Sequence, residues 1–486
     1  MDPEALTSPR LPDATTVCID EREGVGRFLR LTRPVRRGEA LLVESPLFIT
    51  PTAGDDLDAL LEETCDPATR AALPERPDLL SPTAVLSLVI AKALLENADS
   101  QVCEEFRELR GDTDMWASQA QSLYASLRED FRAHFTLEAV GEIFAIVAQN
   151  AHQANDGRAG VFRLGSYAEH SCEPSAFKEI IASADGLSRP ASPACCASPL
   201  NGHGGSTGDA SPGSPTNRSS ISSTAPTPQL VIRAQHDLAD GDVVSISYIP
   251  EYLPTWSRKQ LLLQGYGFTC SCDRCERKPE VVCAFKCPKC EEGVCSPATP
   301  VSVAKGDFLG HPFSCDSCGD LVEDPAVLAA FSANECCEVI SEESTQLLHP
   351  FHYKIFGMYL HNIHSIPAIQ RVEALESLGE AQRRLTGSDV HPLHGRLCEL
   401  AGAAYVELGD HHQAVASLRR AEEHYALSHR GPPDPGHALR CHAEQMKVTP
   451  GPLGTVPSRL SISSMSPLLP PLREGDGDEA EDEEEG

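Results

Sequence analysis

Basic residues are scarce in this chain. Lys and Arg total 40 against 71 Asp and Glu, and the formal net charge is −31. Binding to DNA or RNA rests on a basic surface that displaces phosphate counterions, so direct nucleic-acid binding is not an expected role. Acidity suits a basic partner such as a Lys-rich tail, and it is equally an ordinary solubility feature. Long apolar runs are also missing. No stretch approaches the ~20 residues that span a bilayer, so no membrane segment is expected. No N-terminal apolar segment reads as a signal peptide. What remains is a chain of 486 residues with 41% hydrophobic content. That is enough for a sizeable core and too much for one small one, so about two or three domains are expected.

Cysteine is plentiful, with 19 residues. Without a secretory signal these read as reduced thiols in the cytoplasm and/or nucleus, several of them bound to metal. Cys270, Cys272 and Cys275 form C-x-C-x2-C and lie too close together for a disulfide framework. The spacing suits thiolates converging on one tetrahedral zinc, which needs a fourth ligand. The best donor is upstream, in Glu169-His170-Ser171-Cys172-Glu173-Pro174-Ser175. A second group, Cys287-x2-Cys290 and Cys315-x2-Cys318, has the paired spacing of a four-cysteine zinc ribbon. Four thiolates leave no open position, so this zinc is structural. Cys283 and Cys295 compete as ligands but lack the pairing.

Read in order, residues 1–16 are polar and expected to be disordered. Gly26–Leu31 and Ala40–Leu47 read as strands joined by the turn Arg36-Arg37-Gly38-Glu39. Residues 56–148 read as helices. Ala84–Leu95 is apolar nearly all round, hence buried, and Leu137–Gln149 is amphipathic. Residues 183–227 are rich in Ser, Pro, Gly, Ala and Thr, and cannot bury enough surface to offset the entropy of ordering. A strand resumes at Gln229–Ala234 and turns at Ala239–Asp242. It then enters an alternating run with Val243, Val244, Ile246 and Tyr248. From Pro325 to Gln445 the chain reads as helical. Within it, Ala401-Gly402-x2-Tyr405-x3-Gly409-x4-Ala414-x3-Leu418-x2-Ala421 matches one tetratricopeptide repeat. Residues 447–473 are Pro- and Ser-rich, and Glu474–Gly486 is an acidic tail.

The order H-S-C-x-P, then G-D-x-x-x-x-S-Y, then an aromatic pair, then C-x-C-x2-C resembles the SET domain and post-SET zinc knot of SMYD-type (SET and MYND domain) protein-lysine methyltransferases. The resemblance covers roughly residues 17–445 and is firmest over 166–275. It implies that Cys172 is the fourth ligand of the Cys270, Cys272 and Cys275 zinc. It implies S-adenosylmethionine as methyl donor beside the same segment, with Gly26, Arg27, Asn150, Glu169, His170, Tyr248, Tyr266 and Phe268 around it. Tyr248 would orient amine and methyl group. Tyr266 would line the lysine channel, and Phe268 would pack near the adenine. Local chemistry alone also permits a plain hairpin at Gly26-Arg27, a helix stop at Asn150, and core packing for the aromatics. His170 is not expected as a metal ligand, because four cysteines already complete the site.

The chain departs from the family in two ways. The MYND finger is absent, since Cys65 and Cys103 are the only cysteines between Pro46 and Glu104. Glu169 replaces the family's Asn and Ser175 a second Asn. Ionised Glu can only accept hydrogen bonds, whereas Asn also donates.

The expected fold is α+β. A β-rich SET domain (17–277) carries a helical insert (56–148), the disordered insertion (183–227) and the post-SET knot (268–277). A zinc ribbon (278–322), a helical TPR-like domain (323–446) and a disordered tail (447–486) follow. The expected function is methyl transfer to a lysine of a protein substrate, with histones among the candidates and further protein partners bound through the helical domain of a monomer. The rival reading is an inactive, zinc-stabilised interaction scaffold.

Overall fold

The computed structural model describes residues 16–23, 26–51, 54–153, 157–181, 228–276, 280–290, 293–298, 308–337, 346–388 and 390–428. The expected Ser-rich insertion, the acidic tail and the segment before Thr16 lie outside these residues.

The first half is a set of small sheets. β1 (Val17–Arg22) and β2 (Gly26–Leu31) form an antiparallel hairpin. Then come β3 (Ala40–Glu44), β4 (Phe48–Ile49), β5 (Ala151–Gln153), β6 (Ala159–Val161), β7 (Glu169–His170), β8 (Ala176–Ile181), β9 (Gln229–Ala234) and β10 (Ser245–Ile246). They assemble as β3-β9-β8 and β4-β6-β5, both antiparallel, and as the parallel pair β10-β7. β9 is central, and its Leu230, Val231, Ile232 and Ala234 are all buried, as expected of a strand covered on both faces.

Two strand expectations are corrected. The turn Arg36–Glu39 does not join β2 to β3 as a hairpin. β2 pairs back onto β1, and the turn carries the chain into a different sheet, where β3 meets β9. The reason is non-local: Val35 exchanges backbone hydrogen bonds with Leu238, and Leu31 donates to Asp242 O. The alternating run at 243–248 is also shorter than expected, with only Ser245 and Ile246 in a strand. Val243 makes a single bridge to Arg30.

Helices run between Asp55 and Asn150. Helix Pro82–Glu96 is capped by the Ser81 hydroxyl and buries most of its first three turns. Helix Leu137–Asn150 is capped by Thr136 and buries Val140, Ile143, Phe144, Ala145 and Val147. Both pack on the core that Leu29, Leu31, Ala159, Val161 and Ile232 share.

The second half begins with a four-stranded antiparallel meander: β11 (Phe285–Lys286), β12 (Val294–Pro297), β13 (Phe313–Cys315) and β14 (Leu321–Val322). Phe285 stacks on Phe331 at 4.1 Å, which binds this meander to helix Pro325–Cys336. Helices Tyr353–Asn362, Ala368–Thr386, Pro392–Glu407 and His411–Ser428 follow. The last two approach closely because small residues line their contact. A Cβ on Gly402 would lie 2.7 Å from Leu418 Cγ, and one on Gly395 would lie 2.5 Å from the Tyr425 ring. The pair folds back onto the first half. Ser388 donates to Gln235 O at 2.7 Å, and Gly38, at φ +81°, sits where a Cβ would meet Leu427 O at 2.9 Å. Among the described residues no helix is long and apolar enough to cross a membrane, and none of the described cysteines is in a disulfide.

Candidate active site and metal centres

The H-S-C segment and the cysteine triplet meet in space. Cys172 Sγ lies 3.5 Å from Cys275 Sγ and 3.9 Å from Cys270 Sγ, and with Cys272 all four sulfurs fall within 4.8 Å of one another. The fold achieves this from two directions. β7 delivers Cys172, and helix Thr255–Tyr266 ends at Gly267 in the left-handed conformation, turning the chain toward the triplet. The sulfurs perturb each other strongly. S–H donation from Cys172, Cys270 and Cys275 holds Cys272 far below the ordinary thiol range, and the Cys172 thiol is pushed far up as donor. Four cysteine sulfurs this close together are a donor set that a tetrahedral zinc would bind on release of their thiol protons.

The second group also closes. Cys287, Cys290, Cys315 and Cys318 lie within 4.8 Å of one another, with Cys287–Cys318 at 3.8 Å and Cys290–Cys315 at 3.7 Å. A Cβ on Gly293 would land on Cys315 Sγ, so the backbone there makes room for the cluster. Both groups suit zinc. Cys283 and Cys295 are buried but belong to neither.

Around the first cluster the aromatic residues assemble. His170 faces Tyr248 at 5.2 Å and Phe268 at 5.8 Å, and Tyr248 faces Tyr266 at 4.9 Å between ring centres. His170 Nδ1 accepts from the Tyr248 N–H at 3.2 Å, so the neutral ring carries its proton on Nε2. That nitrogen lies 3.3 Å from Cys172 Sγ and donates to it. Burial is the main cause that drives the imidazole down to about 4, opposed by Cys272 and helped by Arg258 and Lys178. His170 is therefore a neutral bridge from the sulfur cluster to the Tyr248 backbone, not a ligand.

Tyr248 donates its hydroxyl to Ala168 O at 2.6 Å, which leaves the oxygen's lone pairs as acceptors. Burial raises its pKa, and the nearby Tyr266 and Glu169 add to the rise. Burial likewise pushes Tyr266 up to about 12, and its hydroxyl reaches Tyr248 O at 3.4 Å. Both phenols are neutral at physiological pH.

The other site candidates are each held by local contacts of their own. Arg27 stacks over Tyr167 at 4.7 Å and donates to Glu108 O. Gly26 closes the hairpin opposite Arg22. Glu169 Oε1 is buried without a hydrogen-bond partner, with Arg22 at 4.0 Å. Asn150 lies at the end of its helix and gives its amide protons to Arg110 O and Ile146 O, both at 2.8 Å. Its neighbour Gln149 reaches Tyr266 O at 3.4 Å. Ser175 is committed elsewhere. It bonds Ser245 and Val243 O, locking β8 to β10.

Sequence reasoning missed a buried ionic network behind the first cluster. Arg258 and Glu280 pair at 2.9 Å with almost no exposure, and Arg274 reaches the same carboxylate at 3.5 Å. Arg258 also donates to Cys275 Sγ at 3.7 Å, and Arg274 to Cys172 O at 3.0 Å and Glu251 O at 2.7 Å. Sequence reasoning also passed over Lys178, which lies 2.9 Å from His152 Nδ1. Neither set has a spacing signature, because the partners come from different elements.

No protein-family model matches the chain. A stretch of 47 residues is 45% identical to histone-lysine N-methyltransferase ASHR2 of Arabidopsis thaliana, and it spans 10% of this chain and 12% of that relative. Among solved structures, the SET domain of LSMT bound to lysine and AdoHcy is similar at 12% identity and a TM-score of 0.33. That likeness covers 85% of this chain and 88% of the other.

Proposed function

We propose that the protein is an S-adenosylmethionine-dependent protein-lysine N-methyltransferase of SET type, with SMYD-like features but no MYND finger. The observation that carries this is the junction of Tyr248, Tyr266, Phe268 and His170 on a four-thiolate cluster. The short segment shared with a histone-lysine methyltransferase supports it. The two metals are structural zincs, and the helical pair Pro392–Ser428 is the TPR-like region that offers a surface for protein partners. The substrate is a protein lysine, histones included, met in the cytoplasm or nucleus.

The donor supplies an electrophilic methyl on a positively charged sulfur. The residues of the chain do the rest. A free lysine amine has a pKa near 10.4, and the amine attacks only when neutral. Tyr248 and Tyr266, neutral and mostly buried, make walls that disfavour the ammonium and exclude water. Tyr248's oxygen, its proton committed to Ala168, accepts a hydrogen bond from the amine and orients its lone pair. With the donor bound, its methyl group would pass to the amine that these residues hold in line with it, the donor's sulfur keeping the electron pair of the broken bond. The extra proton on nitrogen leaves to water. In-line placement is the main source of rate, since no residue need act as a nucleophile.

A second reading, a scaffold without turnover, is favoured by Glu169, whose carboxylate can accept but not donate. A methylation assay on a panel of proteins, with mass spectrometry of the products, separates the two. The enzyme reading expects methyl-lysine, with loss of activity in Tyr248→Phe and intact donor binding. Donor binding without product on any lysine substrate would leave the scaffold.

A further inference from the structure

A cavity of about 140 Å³ lies between the four-stranded meander and helix Ala368–Thr386. Its wall is aromatic and aliphatic, with Tyr252, Val294, Phe351, Phe356 and Leu385 in it. Tyr252 and Phe356 stack at 4.8 Å between ring centres, which fixes that side. The volume is close to that of an engineered protein cavity of about 150 Å³ that takes up benzene, so one ring fills it. It is smaller than the ~300 Å³ of drug-sized sites. The mouth is charged. Asp316 and Arg384, both in the lining, pair at 2.7 Å with side chains 44% and 46% exposed. Arg384 also lies over Phe351 at 4.7 Å and pairs with Glu380 at 3.1 Å. Glu380 in turn holds Arg383 at 3.0 Å. A carboxylate has about four acceptor sites, so Asp316 and Glu380 each have room for a further donor. Arg384 shows that a cation is accommodated between these carboxylates and an aromatic face. The net charge of −31 draws basic segments toward the chain at long range. Asp316 sits in the Cys315–Cys318 loop, so the second cysteine cluster holds one side of the mouth.

We propose that this cavity is an anchor pocket for one aromatic side chain of a protein partner, in a segment where Lys or Arg flanks that residue. The ring enters beside the Asp316–Arg384 pair, and the flanking cations meet Asp316 and Glu380. The proposal does not depend on the methyl-transfer reading. It puts partner contact at the meander and helix Ala368–Thr386, apart from the surface of the last two helices.

Saturation-transfer NMR titration of the full chain tests this with three tripeptides, acetylated and amidated at their ends: Lys-Phe-Lys, Lys-Ala-Lys and Glu-Phe-Glu. Lys-Phe-Lys is expected to bind more tightly than Lys-Ala-Lys by about tenfold or more, as for burial of one ring. It should exceed Glu-Phe-Glu by several-fold, with the gap narrowing at high salt. Ala381 lines the cavity from the helix, and Ala381→Leu should bring Lys-Phe-Lys down to the level of Lys-Ala-Lys. Val281 is a lining residue 40% exposed, so Val281→Trp should do the same from the rim without disturbing the core. Lys-Phe-Lys binding no tighter than Lys-Ala-Lys would overturn the proposal, as would wild-type affinity in both variants. Glu-Phe-Glu binding as well as Lys-Phe-Lys would overturn the assigned charge. Phenol binding as tightly as Lys-Phe-Lys would make the cavity a small-molecule pocket and overturn the partner assignment.

Discussion

The Glu280 carboxylate ties together the arginines that brace the first cysteine cluster, and its removal is a demanding test. It accepts from Arg258 at 2.9 Å, approaches Arg274 at 3.5 Å and takes the Thr255 hydroxyl at 2.5 Å. With an effective dielectric of about 20 the two ion pairs attract by about 6 and about 5 kcal/mol. Desolvation of three charges offsets most of this. Glu280→Gln keeps the shape but strands two buried guanidinium groups, which costs about 3–5 kcal/mol. In a folding unit of about 150–250 residues that is roughly 6–20 °C in Tm. Thr255→Val removes one neutral donor and should cost about 1 kcal/mol. The assay is thermal unfolding of both variants with zinc content measured alongside. The pH dependence has a definite sign. Burial raises the Glu280 pKa, but Arg258 and Arg274 outweigh it and leave the group below its usual range. Its stabilising effect is therefore complete above about pH 4.3 and is lost as pH falls through the lower folded value. A Glu280→Gln protein that melts within about 1 °C of wild type at pH 7 would show that the network stabilises nothing.

Three further outcomes are expected. Gly402→Val should destabilise the C-terminal helical pair by about 1–3 kcal/mol through overpacking on Leu418, read as a lower denaturant midpoint. Gly293→Ala should release one zinc equivalent per chain, because its Cβ displaces Cys315 Sγ, and metal analysis detects this. Burial depresses Lys178 to about 8, so the folded state binds fewer protons than the unfolded chain between that pH and about 10.4. Wild-type stability should rise with pH across this window, whereas Lys178→Met should be flat there and more stable at pH 7, on the order of 1 kcal/mol.

What could be read from the chain follows from how local each signal is. The triplet Cys270–Cys275 and the two C-x2-C pairs are marked by short spacings, whereas Cys172, far upstream in the chain, entered only through the family resemblance and is brought to the triplet by the fold. The helices at Pro82–Glu96 and Leu137–Asn150 declared themselves through apolar pattern and caps. The pairing of β3 with β9 did not, because it joins segments far apart in sequence and Arg36–Glu39 looks like a hairpin turn. His170's role was only half legible. Its place beside Cys172 was plain, but its bond to the Tyr248 backbone depends on β7 and β10 running parallel. The Arg258–Glu280–Arg274 network was hidden, since single charged residues in ordinary positions carry no mark of burial.

The most direct test of the account is zinc stoichiometry and S-adenosylmethionine affinity measured together on wild type and Cys172→Ser. The account predicts about two zinc per chain in wild type, as for two closed four-thiolate sites. In Cys172→Ser one should remain, held by the Cys287 cluster, and donor binding should be lost as His170 and Tyr248 lose their anchor. A variant that keeps both metals, or binds the donor as wild type does, would contradict it.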